Sequence, residues 1–436
     1  MNKNIWRWLA LRAVLSLVVA ACAPATPTEA PVEEPAETEP MEEMEEEEPT
    51  EAEEAEMEEA EMEEAEPFVL GMLYVGPFND RGWSQAHHEG ALYAEENVEG
   101  VEVIYIDKVN PADRPGTTGA QLAGELLGQG ANLIIFNSDD MKDDALEFAE
   151  SNPDVPVIHI SGDYSWEEGE NFRNQSNLVN IMGNMTYGKM IAGCTAALKS
   201  QTGQIGYLGP LINDETRRLA ASAYLGAQYC WENVRGNDPA DLQFRVTWIG
   251  FWFNIPGVTA DPTQVADDFF NSGFDVVISG IDTTEALVEA NSFASEGQEV
   301  WAIPYDFEGA CEEAPDVCLG VPYFNWGPDY VEEVNNVMND EFVMKWEWND
   351  PYWEDINDPD MSPIGFLKGP GLDDEAAAQV DDFIAELAGG LNLWTGPINL
   401  QDGTAYLAEG EVATEQQVWY LPQLLEGMEG QSVPED

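Results

Sequence analysis

Apolar positions along this chain come in blocks. Residues 68–75, Phe-Val-Leu-Gly-Met-Leu-Tyr-Val, form an unbroken apolar run that ends at Gly76-Pro77. A strand covered on both faces has this pattern, whereas a half-exposed strand alternates with period two. After it the pattern predicts a helix over 87–97, a strand over 101–106 and a helix over 116–128 stopped by glycine. A strand over 132–136, a helix over 143–151 and a strand over 155–160 follow. The order then repeats, with strands at 204–208, 243–249, 275–279 and 299–303 and helices at 215–233, 261–272 and 284–296. Two successive sets of this kind predict an α/β protein of two Rossmann-like lobes, each a parallel sheet flanked by helices, joined by a hinge. The expected division is lobe 1 over 68–186 and about 321–340, and lobe 2 over 187–320 and about 341–436.

In such sheets ligands sit beyond the carboxyl ends of the strands. Two lobes facing each other would surround one ligand with both sets of loops. Asp80, Trp83 and Ser84 follow the first strand, and Asp139 follows 132–136. Trp252 and Phe253 follow 243–249, Asp282 follows 275–279, and Asp306 follows 299–303. Aromatics can sandwich a flat heteroaromatic ring, and Asp can accept its N–H groups or hydroxyls. The same residues have an ordinary use, since strand-end aromatics fill cores and carboxylates cap helices. A phosphorylated ligand is not expected: there is no Gly-rich phosphate loop, and Arg81 is the one cation in these loops.

Charge narrows the partners. The 436 residues hold 16 Lys+Arg and 85 Asp+Glu, a net −69 that excludes nucleic acid as a direct partner. Residues 28–66 contain 21 Glu and no base, and the chain from 67 onward keeps 64 acids against 13 bases, a net −51. Such a surface favours a soluble monomer, and salt relieves its self-repulsion.

Lys3, Arg7 and Arg12 precede a short apolar segment over 13–21, too short to span a bilayer. It ends in Val19-Ala20-Ala21-Cys22, which resembles the lipobox of bacterial lipoproteins. That resemblance makes 1–21 a signal peptide, Cys22 the lipidated N-terminus, and the outer face of the cell membrane the location. Residues 22–67 are Pro, Thr, Ala, Glu and Met of low complexity, expected to be a disordered acidic linker. Cys311 and Cys318 share the loop GACEEAPDVCLG, which suggests a local disulfide and leaves Cys194 for Cys230. Zinc is the alternative, but no His is near and no CxxC occurs. His87 and His88 open a helix beside the expected cleft, as surface or edge side chains, and His159 is read as structural. No nucleophile–base signature appears, so neither catalysis, metal nor cofactor is expected.

The segments NDRGWSQAHHEGA, GNMTYGKMIAGCTAAL, TWIGFWFNIPGVTADPTQ, WAIPYDF and GVPYFNWGPDYVEEV follow one another as in the basic membrane protein family. The ending WTGPINLQDGTAYLAEGEVATEQQVWYLPQLLEGMEG is similar to that of its Med-like branch. The resemblance implies the type 1 periplasmic-binding fold and a substrate-binding lipoprotein of an ABC importer, with permease and ATPase as partners. It implies a purine nucleoside, a purine base or a similar flat heterocycle as ligand. Trp83 stands where the family has a base-stacking aromatic, flanked by Asp80 and Ser84, and Asp139 lies in a loop of polar contacts. Trp252 and Phe253 match the second aromatic, and Asp306 the Asp that holds ribose hydroxyls. The stretch 321–326 lacks the Lys that nucleoside-binding relatives carry there. Hinge rotation is expected near 185–188 and 319–322. The alternative function is a ligand-sensing surface receptor without transport.

Overall fold

The computed structural model describes residues 66–434. The signal peptide, Cys22 and nearly all of the acidic linker therefore lie outside the described residues. The chain begins with β1 (Phe68–Leu73), α1 (Trp83–Asn97), β2 (Val101–Ile106), α2 (Gly119–Gly128), β3 (Leu133–Phe136), α3 (Lys142–Ser151), β4 (Val157–Ile160) and β5 (Leu178–Gly183). It continues through α4 (Met185–Lys199), β6 (Gln204–Gly209), α5 (Asp214–Tyr229), β7 (Gln243–Trp248), α6 (Pro262–Asn271), β8 (Val276–Ser279), α7 (Glu285–Ser295) and β9 (Trp301–Ile303). Then come β10 (Gly320–Phe324), α8 (Gly327–Met338), β11 (Trp346–Asn349), β12 (Ile364–Lys368) and α9 (Asp374–Ala388).

Apart from two antiparallel pairs, one of them β10 with β12, the strands form two parallel sheets. The first has the order β11-β5-β4-β3-β1-β2, and the second runs from Met428–Glu429 through β7, β6 and β8 to β9. The apolar runs have a direct cause. Ile205 and Tyr207 face one core of the second sheet with Val276 and Ile278, while Leu208 and Val277 face another on the opposite side. Both faces are covered, so neither can be polar. Helix starts follow side-chain capping: Thr118 opens α2 and Asn213 opens α5 with capping boxes, and Asp261 caps α6 ahead of Pro262.

The chain crosses between the sheets three times: between β5 and α4, along β10, and between β11 and β12. The crossings touch. A side chain at Gly183 would meet Ile364 and Phe324, and one at Gly188 would meet Met185 and Pro322. The third crossing corrects the expected boundary, because β11 pairs with β5 in the first sheet although everything past 341 had been placed in lobe 2. Its sequence Trp-Glu-Trp-Asn alternates as an edge strand does, and Trp346 stacks on Trp166 at 4.0 Å, which anchors it to that lobe. The strand at β5 was also not part of the expected pattern.

α4 and α5 pack with their backbones in contact, because a Cβ at Gly193 or Gly226 would run into the carbonyl of Ala223 or Met190. Beside this contact Cys194 is bonded to Cys230, and Cys311 is bonded to Cys318. The first of these closes 36 residues, and removing it as the double alanine variant should cost about 4 kcal/mol of stability by loop entropy. Denaturant unfolding of that variant checks this, and unchanged stability would refute it.

Candidate functional site

The loops at the carboxyl ends of both sheets meet around one closed pocket, with about 420 Å³ of space between its lining atoms when open solvent is included. Trp83, Ser138, Asp139 and Ser161 line it from the first lobe. Tyr207, Glu215, Trp252, Asp282 and Tyr305 line it from the second. Four of the expected residues therefore come together: Trp83, Asp139, Trp252 and Asp282.

Trp83 is held rigidly. It is 7 % exposed, and its Nε1–H donates to the Asn137 carbonyl. It stands perpendicular to His87, Phe324 and Trp326, whose rings lie parallel in a stack. Trp252, on the loop after β7, receives the Asp282 backbone N–H on its carbonyl at 3.0 Å. Its own Nε1–H is buried without a partner, as is the Asn137 side-chain amide.

Cross-lobe contacts keep the cleft closed. The Ser161 hydroxyl donates to Glu215 at 2.7 Å, and Asn213 donates to Asp139 at 3.3 Å. Arg81 pairs with Glu313 at 2.9 Å, and Gly82 lies against the Asp282 carbonyl so closely that no side chain would fit. Arg81, Ser161 and Asp306 all have positive φ, the kind of backbone strain that gathers at functional sites.

The other expected residues have different places. Asp80 is not a wall residue: its carboxylate accepts the backbone N–H groups of Gly82, Ser84 and Gln85, which holds the N-terminus of α1. The Ser84 hydroxyl accepts the Gly76 N–H at 3.0 Å. Phe253 turns from the pocket, meets Phe251 edge-on and packs on the first-lobe core. Asp306 is fully buried outside the lining. His87 corrects the surface reading: it is fully buried, bonded to the Tyr330 hydroxyl at 2.5 Å and stacked on Trp326. His159 is buried and donates to the Ser138 carbonyl.

Ser138, Ser161, Tyr207, Glu215 and Tyr305, and Lys189 behind them, were not among the expected residues. Glu215 sits in the first turn of α5, where the helix dipole favours a carboxylate, and the loop after β6 carries the same strand-end signal as the others. Lys189, on α4, is fully buried; its ammonium donates to the Ser279 carbonyl at 2.7 Å and lies 3.1 Å from the Tyr305 ring centre. It provides the charge facing Asp306 that 321–326 lacks. Elsewhere the carboxylates of Glu332, Glu333 and Glu347 converge, and the Lys345 ammonium lies between them at 2.7–2.9 Å.

Burial pushes the carboxyls of Asp282 and Asp306 well above the usual range; repulsion from Asp306 adds to the rise of Asp282, while Lys189 pulls Asp306 back against Asp80 and Glu215. Burial also raises Glu215, against the pull of Arg218 and Ser161, and pushes Asp80 up to about 6 despite its backbone hydrogen bonds. A raised carboxyl keeps its proton in the folded state where the unfolded chain has lost it, so stability falls as pH rises through that window. For Asp80 the window runs from about 4 to about 6, on the order of 2 kcal/mol after discounting its partial exposure. The unfolding temperature should therefore rise when pH is lowered from 7 to 5. Calorimetry showing a fall would refute this.

Comparison with known proteins agrees with this architecture. The family model described as ABC transporter substrate-binding protein, PnrA-like, matches residues 68–349. A purine-binding protein of Brucella abortus is 25 % identical over 355 residues, 80 % of this chain and 90 % of that one. A Haloferax volcanii protein named provisionally as an ABC transporter glucose-binding protein is 26 % identical over 235 residues, 54 % of this chain and 52 % of that one. Among solved structures, an ABC-transporter solute-binding protein of Aeropyrum pernix shares the fold at a TM-score of 0.59 and 13 % identity, covering 77 % of this chain and 93 % of that one. Among the described residues no helix is long and apolar enough to cross a membrane. With a match that spans nearly all of both sheets, the chain belongs to the Bmp family of PnrA-like ABC transporter substrate-binding proteins.

Proposed function

We propose that this protein is the lipid-anchored, extracytoplasmic receptor of an ABC importer and that it takes a purine base, a purine nucleoside or a similar flat heterocycle between its lobes. One observation carries the reading: Trp83 from one lobe and Trp252 from the other wall the same closed pocket. An aromatic ring placed there contacts both indoles only when the lobes are together. The ligand thus binds the closed form better, and that difference drives closure. Closed lobes then dock on the permease, and ATP is used by another subunit. Anchoring through Cys22 rests on the Val19-Ala20-Ala21-Cys22 segment. The Brucella relative's name supports a purine. The Haloferax relative's name makes a hexose the competing ligand, since sugars also stack on tryptophan.

A thermal-shift panel of nucleobases, nucleosides and hexoses tests the reading. A ligand at a hundredfold excess over Kd stabilises by about 2.7 kcal/mol, which is readily seen. A purine is expected to stabilise the protein. Stabilisation by hexoses alone would overturn the purine reading.

A further inference from the structure

The pocket is rich in carboxylates, and their counter-charges can be assigned one by one. Asp139 has Lys142 at 3.8 Å. Glu215 has Arg218 at 3.9 Å and the Ser161 hydroxyl. Asp306, outside the lining, faces Lys189. Asp282 is left over. It is 4 % exposed, lines the pocket, and its carboxylate takes no hydrogen bond or ion pair from any described residue.

No Lys or Arg lines the pocket. Arg218 lies over the Trp419 ring at 4.1 Å, and Lys189 is engaged with Ser279 and Tyr305. Burial also works against the charge of Lys189, which leaves Asp306 short of full compensation. A buried carboxylate without a counter-charge is costly unless a proton or a bound cation neutralises it. The remaining walls favour the cation. Trp83 and Trp252 offer indole rings, the strongest side-chain partners for a cation over a ring face. The unpartnered Trp252 N–H marks a group that awaits a ligand here.

We propose that the cleft selects a positively charged ligand, a cationic heteroaromatic ring or an aromatic amidine or amine, with Asp282 as its counter-charge and the indoles of Trp83 and Trp252 around it. This rests on the reading of the pocket as the ligand site and adds a charge requirement to it. Neutral rings meet the aromatic walls but leave Asp282 to be neutralised by a proton alone. A cation meets both.

Two near-isosteric pairs, measured by titration calorimetry at neutral pH, separate charge from shape: benzamidine with benzamide, and 1-methyladenosine with adenosine. The cationic member of at least one pair is expected to bind about tenfold tighter or better, the scale of a desolvated cation–ring contact joined to an ion pair. In Asp282→Asn that preference should shrink to about threefold or less as the ion pair is lost. Should that variant not fold, the wild-type ratios decide alone. Neutral members binding as tightly as the cations, or neither cation binding at millimolar concentration, would overturn the proposal. The two readings fail separately: purine binding without cation preference leaves the heterocycle site standing, whereas cation binding without purine binding removes the purine and leaves the charge requirement.

Discussion

Gly82→Ala is expected to weaken ligand binding about 5- to 150-fold with the fold retained. Gly82 opens α1 at the rim of the cleft, and in the closed protein it lies against the Asp282 carbonyl of the opposite lobe. A methyl group there collides with backbone, which cannot swing aside as a flexible side chain would. Relieving such an overlap costs about 1–3 kcal/mol, and the cost falls on the closed form alone. Affinity drops by that amount because binding and closure are linked. Gly124→Ala is the control, since a side chain there meets nothing within 4 Å. Wild-type affinity in Gly82→Ala would show that the bound form is not the closed form described here.

Trp252→Ala is expected to lose about 2–4 kcal/mol of ligand affinity, the usual cost of removing a buried aromatic anchor. Trp252→Phe should recover most of it. Trp83→Ala should lose as much affinity and stability besides, because Trp83 is tied to the Asn137 carbonyl and stands on the His87–Trp326–Phe324 stack. Emptying such a site costs about 3–5 kcal/mol of fold stability. Trp252 has no such ties through its ring nitrogen, so its variant separates binding from folding. Calorimetry of the Trp252 variant with a ligand from the thermal-shift panel reads the effect. Unchanged affinity would remove the second wall from the account.

The parallel strands were legible because both faces of each sheet are covered, so their apolar runs are continuous. The segment 101–106 coincides with β2, and 204–208 falls one residue short of β6. β11 was not legible. It has four residues, and its place at the edge of the first sheet depends on Trp166, 180 positions earlier in the chain. Within the site, the strand-end rule reached Trp83, Asp139, Trp252 and Asp282, since it follows from sheet geometry alone. It could not tell a helix-capping carboxylate from a ligand-facing one, and Asp80 turned out to cap. Tyr207 lies inside a strand, where a pocket residue and a core residue look alike. Lys189 has the spacing of an ordinary helix lysine. Its burial over Tyr305 arises only when β9 and α4 are brought together.

The central claim is that a flat ring is held between Trp83 and Trp252 when the lobes close. A crystal structure with the most stabilising compound of the thermal-shift panel tests it most directly. The expected result is the ring between the two indoles, with Asp282 within hydrogen-bond reach and the Gly82–Asp282 contact intact. A ring bound at another place, or in an open cleft touching only one tryptophan, would contradict the account.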